Sequence, residues 1–148
     1  MRLFAVVCVL ATSFASLATA SEDTFSRLVG SRSLQCTLGP GASVDWKSGK
    51  PFMKEDKFDV VLQFDSIDFK AKKARLIGNQ GASDVAALVT SAGVTFIEEA
   101  GFGNIAVTTV FSDYAKGTRD FVVVHSRHMG SLDSPIPSQY HGTCKVWE

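Results

Sequence analysis

The sequence predicts an all-β fold, a single antiparallel up-and-down β-barrel of about eight strands, with a β-sandwich as the alternative. Three observations predict it. Short segments that alternate apolar and polar residues follow one another closely, as in FDVVLQFD, where Phe58, Val60, Leu62 and Phe64 fall on one face. Their number, about eight, is that at which a sheet closes on itself around side chains or one small ligand. Two cysteines, Cys36 and Cys144, lie in the first and last of these segments. A disulfide between them requires Cα atoms within roughly 7 Å, so the first and last strands must be neighbours.

Taken in chain order, the first segment is MRLFAVVCVLATSFASLATA. It has a positive charge at Arg2, a short apolar run and an A-x-A arrangement at Ala18 and Ala20, the pattern of a secretory signal peptide over residues 1–20. The run falls short of the ~20 residues of a membrane span, and nothing later is apolar for long enough to be one. Cys8 leaves with this segment. Residues 21–148 then form one β-barrel domain, exported to the periplasm or secreted, where a remaining even pair of cysteines reads as a structural disulfide. No C-x-x-C spacing supports a redox role.

SLQCTL supplies the first strand. Residues 39–57, GPGASVDWKSGKPFMKEDK, read as a long polar loop, yet they carry Trp46, Phe52 and Met53, which need apolar surface to lie on. A lid over one barrel mouth would provide it. FDVVLQFD, ARLIG, DVAALVT, VTFIEE, NIAVTTVF and DFVVVHS follow as strands, rich in β-branched and aromatic residues and separated by turn signals. SDVAALVTSAG also has the caps of a short helix, but SAG joins it directly to VTFIEE as a hairpin, which favours strand. MGSLDSPIPSQY, with Pro135 and Pro137, reads as an extended crossing before the final strand, HGTCKVW.

Charge excludes some functions. The chain carries 15 Lys plus Arg against 15 Asp plus Glu, and losing Arg2 leaves the exported part close to neutral. Such a balance gives no drive toward nucleic acid or anionic lipid. KAKKAR, residues 70–75, is a solvated turn flanked by Asp65 and Asp68.

The enzyme motifs fail in turn. GFGNIA, residues 101–106, fits a dinucleotide fingerprint in letters, but a strand follows where a helix is needed. No G-x-S-x-G or H-E-x-x-H occurs, and DSID lacks the oxygens of a calcium loop. FVVVHSRHMGS places His125 and His128 three apart, on opposite faces of a strand. With His141 they would make a zinc site only if the strand ended between them, so the expectation is no metal and no cofactor, with His125, His128 and His141 as the alternative metal set.

The strings TFIEEAGFGNIAVTTVF, VHSRH and PSQYHGTCKVW resemble small exported proteins of bacteria. That resemblance implies export and a compact β-domain, and no activity. The layout is also similar to lipocalin-like (calycin) barrels, with a long first connection and a disulfide tying the C-terminal part to the sheet. Their G-x-W hallmark is absent, because Trp46 is preceded by Val44.

Three function classes follow. The first is a non-enzymatic binding module whose interior, lined by Phe58, Leu62, Phe64, Phe96 and Phe111, takes a small apolar or amphipathic ligand beneath Trp46 and Phe52. The second is a metal-dependent hydrolase built on the three histidines with Glu98, Glu99 or Asp113. The third is a protein acting through its surface as an inhibitor or envelope partner, for which the sequence names no protein partner.

Overall fold

In the computed structural model, described over residues 23–78, 81–130 and 134–147, a closed antiparallel barrel of eight strands carries one extra strand. The proposed signal peptide, with Cys8, lies outside the described residues. The strands are β1 (Leu34–Lys47), β2 (Lys50–Lys57), β3 (Val61–Asp68), β4 (Lys73–Gly78), β5 (Gly81–Thr90), β6 (Gly93–Glu99), β7 (Ile105–Tyr114), β8 (Phe121–Met129) and β9 (Ile136–Val146). A short helix, α1 (residues 23–29), precedes them. The barrel strands β1 and β3–β9 pair in chain order, and β1 closes on β9.

Closure occurs at the disulfide. Cys36 lies directly opposite Cys144 in the β1–β9 ladder, with Cα atoms 4.0 Å apart. Both cysteines are fully buried. Gly142, near by on β9, is small for a reason: a side chain there would run into the Thr37 backbone across the seam.

Side chains fill the centre of the interior. Phe64 and Phe96 stack with ring centroids 4.0 Å apart, and Leu34, Ile67, Val94, Val110, Phe121 and Val123 pack around them without exposure above 1%. Eight strands enclose a space that side chains of this size fill. Alternation put them there, since each buried residue is followed by one on the outer face, as in Ala106, Thr108 and Val110 of β7.

The two barrel ends differ. At the first, α1 acts as a plug: Leu28 is fully buried in the core, and Arg27 donates to the Tyr114 hydroxyl at 3.0 Å while its guanidinium lies over the Phe121 ring. This helix has no counterpart in the sequence reading, because seven residues offer too few turns for a 3.6-residue period to show.

The second end is built on the length of β1. Its Leu34–Thr37 half pairs with β3, while Pro40–Lys47 pairs with β2, and β9 runs along its other edge past a bulge between Leu38 and Gly41. The expected polar loop and lid are therefore a β-hairpin, hereafter the flap, extending the sheet beyond the barrel. The signal was short. Ser48 and Gly49, at φ 51° and 74°, form a two-residue turn with both residues left-handed, which suits the twist of flanking strands. Proline, glycine and lysine mask the strand propensity of the arms, and pairing with β9 supplies what propensity does not. Pro137 likewise lies inside β9, opposite His128, and not in a separate crossing.

Candidate functional site

One ladder row crosses the open end through six strands: Phe96, Thr108, His125, Tyr140, Gly41 and Asp56. All face inward. The Thr108 hydroxyl lies 2.8 Å from His125 Nδ1, and the Tyr140 hydroxyl donates to Asp56 Oδ2 at 2.8 Å. Gly41 makes the second bond possible, because a Cβ there would collide with the Tyr140 ring and the Gln139 carbonyl. Phe58, in the link between β2 and β3, stacks on His125 at 5.8 Å and leans on Tyr140 at 5.0 Å, and the Arg127 guanidinium covers it at 4.9 Å. Aromatic ring and guanidinium together stopper the mouth.

Burial sets the charge of His125, and hydrogen bonding sets that of Asp56. His125 is 4% exposed, and loss of water, reinforced by the Arg127 charge, pushes its pKa down to about 4. The ring is neutral at ordinary pH. Asp56 is held below the usual carboxylate range, chiefly by the Tyr140 hydroxyl and then by the Lys57 amide. Ser43, buried on the same face, has a hydroxyl with no hydrogen-bond partner within 3.5 Å among the described residues, although it lies near enough to Asp56 to favour the charged carboxylate. A hydroxyl on an imidazole has the form of a nucleophile–base pair. Here Thr108 and His125 are both buried, Phe58 covers the ring, and among the described residues no carboxylate hydrogen-bonds it.

The histidines do not converge. His125 points inward, while His128 and His141 lie on the outer face, paired respectively with Pro137 and Val124 and so four residues apart along the strands. No group of three His, Cys, Asp or Glu able to hold a metal occurs among the described residues. The alternative three-histidine set is corrected by strand geometry, as β8 continues through Met129 and keeps the two faces separate.

The residues expected to line a pocket are dispersed. Phe64 and Phe96 form the stacked centre of the core, Leu62 is buried at its edge, and Phe58 is the stopper. Phe111 is a correction, since Val110 takes the inward position and Phe111 turns half-buried to the outside. Trp46 and Phe52 stand exposed on the flap, where Trp46 Nε1 donates to the Pro135 carbonyl at 2.6 Å. Glu98 points into the mouth near Ser83, Glu99 ends β6 beside it, and Asp113 is exposed near the plugged end.

A broad concavity lies outside the barrel. A groove of about 600 Å³ runs over the outer faces of β2, β1, β9 and β8, lined by the apolar Val44, Met53 and Pro137 and the polar Ser126, Gln139, His128 and His141. The mouth itself holds a recess of about 460 Å³ floored by Val60, Leu62 and Leu76 and rimmed by Glu98 and Glu99. Sequence reasoning missed the groove because its residues come from four strands and meet only through the β1–β9 closure. No protein-family profile matches this chain, and no curated protein matches it.

Proposed function

We propose that this protein is a non-enzymatic binding module that takes a small amphipathic ligand in the outer groove between the flap and strands β8 and β9. One observation carries the reading: the centre of the barrel is filled by Phe64, Phe96 and Phe121, while a groove of about 600 Å³ on the outside offers both apolar and hydrogen-bonding side chains. A chain of apolar carbons would lie along Val44, Met53 and Pro137, and its polar end would meet Gln139, His128 or His141. The signal-like N-terminus and the Cys36–Cys144 disulfide support an exported protein. Among the described residues no helix is long and apolar enough to cross a membrane.

Calorimetric titration with fatty acids, retinoid-like molecules and apolar dyes tests this, on the parent and on two variants. Ala42→Trp fills the groove floor, and Leu62→Trp obstructs the mouth recess. Saturable binding lost in the first and kept in the second supports the groove. Loss only in Leu62→Trp moves the site to the mouth, and absence of binding to every probe removes the carrier reading.

A further inference from the structure

We propose that the open end of the barrel docks on a lipid surface, with Phe102 of the β6–β7 turn and Phe52 of the flap as the inserting side chains. This goes beyond the groove ligand and does not depend on it. Exposed large hydrophobic side chains gather at that end: Trp46, Phe52 and Met53 on the flap, Phe102 in the turn, and Ile105, Ile136 and Val61 at strand ends, against Val89 and Trp147 at the plugged end. Single exposed hydrophobics are ordinary, but clustering at one pole marks an interaction surface.

Phe102 is the strongest sign. It stands 106% exposed between Gly101 and Gly103, and all three residues are left-handed, at φ 74°, 52° and 76°. A phenylalanine is disfavoured in that backbone region and disfavoured again in water, and an asparagine would remove both penalties. Nothing in the barrel needs the ring, so its use lies outside the fold. The tips are also held in place. Asn104 Oδ1 accepts the Gly130 amide at 2.6 Å, which ties the β6–β7 turn to the end of β8, and Trp46 ties the flap to Pro135 at the start of β9.

The form of these tips selects the occupant. Phe102 projects from a turn and does not line a groove, so a rigid partner would need a matching socket for it, whereas fluid acyl chains accept any apolar tip. Lys47 and Lys50 bracket the flap turn with no carboxylate within ion-pair distance among the described residues, while Lys54 and Lys57 are paired with Asp45 and Asp59. The two ammonium groups fit headgroup phosphates beside Phe52, whereas Glu98 and Glu99 at the rim oppose an anionic surface. With net charge near zero, insertion carries the binding and charge only adjusts it.

Flotation of the intact protein with phosphatidylcholine vesicles, and with vesicles that also contain phosphatidylglycerol, tests the proposal. The parent should float with both, and Phe102→Asn, which suits the left-handed turn and keeps the fold, should lower partitioning about tenfold or more. Phe52→Ser should act in the same direction. Lys47→Ala with Lys50→Ala should remove only the added affinity for phosphatidylglycerol. Ala42→Trp, which blocks the groove, should float like the parent, so failure of the groove reading and failure of this one are separable. A parent that stays in the soluble fraction with both vesicles overturns the proposal, as does a Phe102→Asn that floats unchanged. So does a dimer in sedimentation velocity that Phe102→Asn dissociates, which would assign the tips to a second copy.

Discussion

Acid should loosen the open end before it affects the rest of the barrel, and His125 sets the pH at which this begins. Its ring ordinarily titrates near 6.5, and burial with the Arg127 charge lowers that to about 4 in the folded protein. A depressed pKa on a base means that the unfolded chain binds the proton more tightly. The stability is therefore complete above about pH 6.5 and is lost as pH falls toward about 4. Taking these two values, about 2 kcal/mol disappears between pH 7 and 5 and about 3 kcal/mol by pH 4. Asp56, Asp65 and Asp68, held low by Tyr140, by Arg75 and by the Ala71 amide, add their losses only further into acid. Urea unfolding at a series of pH values measures the slope, and NMR titration of the His125 ring gives the folded pKa directly. In His125→Gln, which can still hydrogen-bond Thr108, the drop between pH 6.5 and 5 should vanish. A ring that titrates near 6.5, or stability that is flat over that interval in the parent, would refute the burial argument.

Reduction of Cys36–Cys144, which spans 108 residues, should cost about 4 to 5 kcal/mol in the chain-entropy picture and appear as a lowered melting temperature under reducing conditions. Tyr140→Phe removes the hydroxyl that holds Asp56 and should loosen the flap, read as faster proteolysis after the flap lysines and a lowered melting temperature. Phe64→Ala should cost about 3 to 5 kcal/mol in urea unfolding, because the stacked pair at the centre of a filled barrel has no neighbour free to collapse into the space. Elemental analysis of the purified protein should find no stoichiometric zinc, copper or nickel, as strand alternation keeps His125 on the opposite face from His128 and His141.

The sequence by itself determined the strands and the seam. Alternation in FDVVLQFD, VTFIEE and NIAVTTVF is a local property of a pleated chain, so one buried face per segment can be read residue by residue. Cys36 and Cys144 gave the closure, because a disulfide is a distance constraint written in two letters. The tertiary structure alone decided what each face meets. Whether Phe64 and Phe96 line a cavity or fill it depends on how far apart the walls stand after closure, which no single strand records. The flap became β-structure because β9 offered an edge to Gly41–Ser43 and β2 paired back along Pro40–Lys47, overriding a composition that reads as loop. The outer groove and the row from Thr108 to Asp56 exist only where distant strands come into register. The period-2 pattern tells which residues share a face, and only closure tells which strands share a row.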